Sequence, residues 1–256
     1  TPVRGLSLRS DAVTPGDLFF CVPGRRADGH AFAPEAASAG AAALCVERWV
    51  DVAVPQVRVP SVRAAMGPMA SVFHGEPSRD LAIVGVTGTN GKTTTTYLLE
   101  SVFRMAGRRP GVIGTTGVRV DGRPVPFPRT TPEAPDLQRL LREMADDDVD
   151  AVAMEASSLG IDQRRLDGVR LIAGGFTNFS RDHLDHHRDM AEYFAAKMRL
   201  FDRLLTPGQA SVIDADSDVA PRVIEICKAR GLKVIDVGAK GAAITLLKAT
   251  PAADSM

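Results

Sequence analysis

The run Gly85-Val-Thr-Gly-Thr-Asn-Gly-Lys-Thr-Thr94 packs glycines, a lysine and several hydroxyls into a short span. Gly88 and Gly91, with Thr89 and Asn90 between them, give a backbone able to turn several N–H groups toward one anion. Lys92 adds a positive charge, and Thr93 or Thr94 can offer a hydroxyl to Mg2+. Val86 stands where the strict G-x-x-x-x-G-K-T pattern has its first glycine, but the strand, tight turn and helix start occur in the required order. The chemistry is therefore nucleotide phosphate binding, with ATP favoured and GTP open on the loop alone.

Three further segments carry groups suited to the same site. Met154-Glu-Ala-Ser-Ser158 follows an apolar strand candidate, so Glu155 falls at a strand end where its carboxylate can hold Mg2+ directly or through water; a surface salt bridge is the plainer alternative. Phe176-Thr-Asn-Phe-Ser-Arg-Asp-His-Leu-Asp-His-His187 presents Asn178, Asp182 and His183 from another strand end. A zinc site on His183, His186 or His187 is a weaker reading, because no companion cysteine pair or ligand framework accompanies them. Tyr193 to Phe201 has the pattern of an amphipathic helix, on which Lys197 is either a solvated charge or a neighbour of the phosphates.

The elements that must position these groups alternate in type. Strand candidates are Leu81 to Val86, Gly111 to Ile113, Ala151 to Met154, Leu171 to Thr177, Ala210 to Ile213, Val234 to Val237 and Ile244 to Leu247. Helical patterns run from Lys92 to Ala106, through Leu137, Leu140, Leu141 and Met144, and over Val223 to Ala229. Such alternation predicts an α/β fold with a mainly parallel sheet and helices on both faces. Val120 to Pro135 holds five prolines, which argues against a regular helix or central strand there. A surface loop is the plainer reading, and the alternative is that its Arg129-Thr-Thr-Pro-Glu133 portion faces a ligand beside the phosphate site.

Residues 1–77 read as a separate small α/β unit, and 78–256 as the nucleotide-binding one. In the first, Leu18 to Val22 and Ala42 to Val46 have strand length, with a possible helix over Pro34 to Ala39. Ser61 is a candidate cap for a helix through Met66 and Phe73, which Gly67-Pro68 should bend or interrupt.

Composition narrows the function class. The 31 basic and 31 acidic residues cancel, so no global positive field favours nucleic acid. The three cysteines, Cys21, Cys45 and Cys227, are too few and too scattered for a disulfide framework or cysteine metal cage. No uncharged apolar run approaches the ~18 residues of a membrane span, and no export leader is visible. The expectation is a cytoplasmic protein, and nothing in the composition fixes an oligomeric state.

Taken together, Gly85 to Thr94, Met154 to Arg165, Asn178 to His187 and Ala195-Ala-Lys197 resemble the signature segments of the Mur ligases, ATP-dependent enzymes of bacterial peptidoglycan precursor synthesis. Thr130-Thr-Pro-Glu133 and Met190 to Phe201 are most similar to the MurE branch. So are two first-unit segments, Ala12 to Phe19 and Gly24 to Phe32. The resemblance covers nearly the whole chain. It implies a UDP-substrate-binding first domain and a central ATP-binding domain, with Lys92 and Thr93 at the phosphates and Thr94 nearby. It implies Mg2+ held by Thr93, Glu155 and His183, and a second Mg2+ served by Lys197 as its carbamate. Ser157, Gln163, Arg165, Thr130 and Thr131 match positions around the muramoyl peptide; Ser10 matches the serine near the uridine end, and His30 lies in a first-domain motif near the same substrate.

The implied reaction phosphorylates the terminal carboxylate of UDP-MurNAc-L-Ala-D-Glu from ATP; an incoming amine then displaces phosphate to form an amide. The expected amine is meso-diaminopimelate, with L-lysine the main alternative. The family's third domain, which selects that amino acid, is not among these residues, so a fragment inactive in ligation is expected. Folylpolyglutamate synthetase is the enzyme alternative, disfavoured by the UDP-type first unit, and a non-catalytic substrate-binding fragment is the other. Three departures from the family pattern stand out: Arg9-Ser10-Asp11 replaces Asp-Ser-Arg, Leu159 replaces a histidine, and His186 replaces a tyrosine. The first alters a local ion pair; the second removes a polar ring from the substrate side, and the third adds a titratable one.

Overall fold

A computed structural model describes residues 2–24, 27–125, 130–182 and 186–249. The first unit is a four-stranded, all-parallel sheet in sequence order: β1 (Gly5–Ser7), β2 (Asp17–Phe20), β3 (Ala43–Val46) and β4 (Gln56–Arg58). The short helix α1 (Ala33–Ser38) links β2 to β3. Phe19, Leu44, Val46 and Ala36 pack on one side, and Phe20, Cys45, Val62 and Met66 on the other, so β2 and β3 are covered on both faces.

Ser61 caps α2 (Val62–Phe73) as expected, its Oγ accepting from the Ala64 N–H at 3.3 Å. Of the two outcomes expected at Gly67-Pro68, interruption does not occur: α2 runs as one helix through Pro68. Proline inside a helix costs about 3 kcal/mol. Here Val62, Met66, Gly67, Ala70 and Ser71 are buried along it, and tertiary packing outweighs the local penalty. Gly67 is needed for that packing, since a Cβ there would lie 1.9 Å from the Asp167 carbonyl oxygen.

The second unit is built on a nine-stranded sheet that contains β5 (Ala82–Thr87), β6 (Pro110–Gly114), β7 (Gly117–Val120), β8 (Arg123–Val125) and β9 (Ala151–Glu155). β10 (Leu171–Phe176), β11 (Ala210–Asp214), β12 (Lys233–Gly238) and β13 (Ile244–Thr245) complete it. The order is β13-β12-β11-β10-β5-β9-β6-β7-β8, parallel except where β7 pairs with β6 and β8. The connecting helices are α3 (Lys92–Met105), α4 (Ala134–Asp146), α5 (Ser158–Asp162), α6 (Met190–Arg199) and α7 (Ala220–Ala229). β6 and β9 are buried at every residue, which requires cover on both faces.

The expected α/β class and mainly parallel sheet are therefore present. Among the described residues of the proline-rich stretch, β8 is an edge strand with Pro124 inside it, as an edge position tolerates, and Ala134-Pro135 open α4. Among the described residues no helix is long and apolar enough to cross a membrane.

Candidate functional site

β5, β9 and β10 lie side by side and run parallel, with Val86 opposite Glu155 and Thr87 opposite Phe176, so all three carboxyl ends open on one edge. The sequence motifs follow these ends: the glycine loop leaves β5, Ala156-Ser157 leaves β9 and Thr177-Asn178 leaves β10.

The loop between β5 and α3 needs glycine at two points. Gly88 (φ 145°) approaches β10 so closely that a Cβ would sit 1.9 Å from Thr177 Oγ1, and Gly91 turns the chain into α3 at φ 83°. The β10 loop clamps it from outside. Thr177 Oγ1 donates to the Asn90 carbonyl at 2.6 Å, and the Asn90 N–H donates to Asn178 Oδ1 at 2.9 Å. The Thr89 N–H donates to the Asn178 carbonyl at 2.9 Å. Thr93 and Thr94 stand in the first turn of α3.

Two lysines converge on this loop. Lys92 Nζ donates to the carbonyls of Gly88 (3.0 Å) and Thr89 (2.8 Å), and Lys197 Nζ, from α6, donates to the same Gly88 carbonyl at 2.6 Å. Lys197 is 1% exposed, with Nζ 4.4 Å from the Tyr193 ring centroid. Burial, reinforced by the charge of Lys92 and partly opposed by Asp182, lowers its pKa to about 7. Burial lowers that of Lys92 as well, against the pull of Glu155 and Asp182. Lys197 is therefore no solvated surface charge.

Glu155 is fully buried at the end of β9. Its carboxylate accepts from Thr93 Oγ1 at 2.8 Å, from the Thr115 N–H at 2.9 Å and from Thr115 Oγ1 at 3.1 Å. Among the described residues, the surface salt bridge considered for Glu155 is not found. Thr115 belongs to none of the sequence motifs, yet it lies two residues beyond the strand candidate Gly111 to Ile113, and strand ends are where such sheets bind ligands.

A second set of groups continues from Glu155. Thr131 Oγ1 donates to the Glu155 carbonyl at 3.1 Å and lies 2.9 Å from Ser157 Oγ. Ser157 also caps α5, accepting from the Gly160 N–H at 3.1 Å. Arg165 donates to the Thr131 carbonyl at 2.8 Å and to Gln163 Oε1 at 2.6 Å. Thr130 Oγ1 reaches Thr115 Oγ1 at 3.3 Å, so Thr130, Thr131, Ser157, Gln163 and Arg165 form one network beside Glu155.

Ser10 and its neighbours line a cleft of about 870 Å³ that runs from the first unit to Glu133, at the start of α4. Arg9 and Asp11 pair with each other, Nε to Oδ1 at 2.9 Å, at the exposed rim. The His30 ring is not in that cleft, although its neighbour Gly29 is. The ring is buried, its Nε2 accepting from the Glu47 N–H at 2.9 Å and its Nδ1 lying 2.7 Å from Asp28 Oδ1. Asp28 also accepts from Arg48 Nη2 at 2.6 Å. The backbone N–H of His30, with Arg48 and the ring, holds the Asp28 carboxyl well below the usual range. His183 lies outside the described residues. Among those described, no group of three or more His, Cys, Asp or Glu stands together as a metal cluster.

The family model for the Mur ligase middle domain matches residues 86–255, and that for the Mur ligase family catalytic domain matches residues 2–74. A relative named UDP-N-acetylmuramoyl-L-alanyl-D-glutamate--2,6-diaminopimelate ligase, from Geobacillus thermodenitrificans, is 48% identical over 202 residues, 79% of this chain and 41% of its own. One of the same name from Mesorhizobium japonicum is 44% identical over 247 residues, 95% of this chain and 51% of its own. A solved structure of a ligase so named superposes with a TM-score of 0.84 at 31% identity, over 95% of this chain and 50% of that one. Escherichia coli FolC, at 18% identity and a TM-score of 0.54, shares the fold over 68% of the chain. The chain spans about half the length of the curated relatives it matches. With the middle-domain match covering most of the chain and the phosphate loop, Glu155 and Lys197 gathered at one sheet edge, this protein belongs to the Mur ligase family.

Proposed function

We propose that this chain carries the UDP-substrate and nucleotide sites of an ATP-dependent ligase that joins meso-diaminopimelate to UDP-MurNAc-L-Ala-D-Glu in cytoplasmic peptidoglycan precursor synthesis. The observation that carries the reading is the convergence of Lys92, Thr93, Glu155 and Lys197 on the carboxyl ends of three adjacent parallel strands. The names of the relatives supply the substrate class. In this reading, residues 1–77 hold the UDP end and the residues from 78 onward hold ATP and the acceptor.

The donor set suits the groups it would bind. Thr93 and Glu155 bring a hydroxyl and a carboxylate within 2.8 Å of each other, hard oxygen ligands of the type Mg2+ prefers. Bound there, Mg2+ would neutralise phosphate charge during transfer. Lys92 now satisfies its ammonium on loop carbonyls and would swing to the phosphates, while the loop N–H groups hold them. Thr131, Ser157, Gln163 and Arg165 would orient the muramoyl-peptide carboxylate. It attacks the γ-phosphorus, ADP leaves, and the amine then attacks the acyl-phosphate, losing a proton and expelling phosphate.

Lys197 would act as a carbamate, formed when its neutral amine attacks CO2 and gives up a proton. A pKa of about 7 leaves a substantial neutral fraction at physiological pH.

Calorimetric titration of the chain with UDP-MurNAc-L-Ala-D-Glu, with and without an ATP analogue and Mg2+, tests the reading. Saturable binding is expected. Absence of binding by folded protein would overturn it.

A further inference from the structure

The two units meet where α2 lies along α4, and a single carboxylate is shared across that junction. Glu133, the residue that opens α4, receives Arg63 Nη1 of α2 on Oε2 at 2.6 Å and Arg165 Nη2 on Oε1 at 3.0 Å. All three side chains are largely withdrawn from water, at 12%, 27% and 10% exposure for Glu133, Arg63 and Arg165. Arg165 in turn grips Thr131 and Gln163, and Thr131 touches the backbone of Glu155. A continuous path of polar contacts thus runs from the first unit to the edge of the phosphate site. Both Arg63 and Glu133 also line the cleft that contains Ser10.

We propose that Glu133 is a positioning residue: it fixes the guanidinium of Arg165, and the Thr131 segment that Arg165 holds, in register with the first unit, so that a ligand spanning the cleft meets both halves at once. The proposal rests on the functional reading above, in which the UDP end and the peptide end of one ligand occupy the two units. The physical case is the fork geometry of arginine. Arg165 aims its donors at the Thr131 carbonyl, Gln163 Oε1 and Glu133 Oε1, and Glu133 joins that arrangement to Arg63 of the first unit. Without the carboxylate, two poorly hydrated guanidiniums face each other across the junction, and their repulsion shifts Arg165 relative to α2. The junction itself would survive, because the close approach of Gly67 to the Asp167 backbone and the burial of Met66 and Ala134 hold it independently.

The test compares the parent chain with Glu133→Gln, Arg63→Met and the double variant by calorimetry against UDP and against UDP-MurNAc-L-Ala-D-Glu, with thermal melts alongside. Each single variant should weaken the muramoyl dipeptide about tenfold and leave UDP within about twofold, the double variant being no worse than either, as for residues of one network. Unchanged affinity for the dipeptide, whatever the melts do, would overturn the proposal. So would an equal loss for UDP, which would make these residues direct contacts or mark a damaged first unit, and so would additive losses in the double variant. Failure of the parent to bind the dipeptide would instead bring down the functional reading, and this proposal with it.

Discussion

Replacing Lys197 with methionine should make the protein more stable, by an amount that depends on pH. The side chain is fully buried against the Tyr193 ring and the Gly88 carbonyl, with the charge of Lys92 nearby. Its pKa falls from the ordinary 10.5 to about 7. A charged lysine in that setting costs folding roughly 5 kcal/mol. Methionine fills much the same volume but forfeits the hydrogen bond to Gly88, worth roughly 1.5–3 kcal/mol for a charged donor. The balance is a gain of roughly 2–3 kcal/mol on the acid side of neutrality.

The pH dependence follows from the direction of the shift. Below about pH 7 lysine is protonated both folded and unfolded, so the full cost is present. Between about 7 and 10.5 the unfolded state binds a proton that the folded state has released; the parent therefore gains stability as pH rises through that window, and the methionine variant does not share the gain. Urea denaturation of both chains at about pH 6 and about pH 9 reads the difference directly. A variant less stable than the parent at the lower pH, or a difference that does not change with pH, would refute the reasoning. A stabilised variant that has lost its function would place Lys197 among residues kept at a cost to the fold.

Three further outcomes are expected. Lys92→Ala should weaken an ATP analogue by roughly 2 kcal/mol, about thirtyfold, for loss of one charged donor to phosphate; unchanged affinity by calorimetry would remove Lys92 from the site. Glu155→Gln should raise the Mg2+ concentration needed for analogue binding by about tenfold or more, and an unaltered metal titration would argue against metal contact. His30→Ala should lower stability by roughly 1–3 kcal/mol, because the Glu47 N–H loses its acceptor and Asp28 a partner. A denaturation midpoint equal to the parent's would show that the ring is no strut.

The second unit's parallel strands and most of its helices are legible in the sequence, because apolar runs separated by helical periodicity admit few arrangements other than a parallel sheet; the antiparallel strands β7 and β8 match none of the strand candidates. The phosphate loop was equally legible, since glycine, lysine and hydroxyl must sit at fixed spacings for one backbone turn to hold an anion. Pro68 shows where local rules lose: its penalty is set by the helix alone, but the outcome was set by what α2 packs against. His30 shows the same limit for function. Its motif pointed to the neighbourhood of the UDP substrate, and the fold adds that its ring nitrogens face Asp28 and Glu47 while its neighbour Gly29 lines the cleft.

The partners of Thr115 and Glu133 became visible only in three dimensions. Thr115 reaches a carboxylate 40 residues away because β6 and β9 are neighbours in the sheet. Glu133 meets Arg63 and Arg165 because α4 lies beside α2 of the first unit. Local sequence specifies which groups a strand or helix presents, through the periodicity of backbone geometry. Which of those groups meet depends on strand order and helix docking, and these are decided by burial summed over the whole chain.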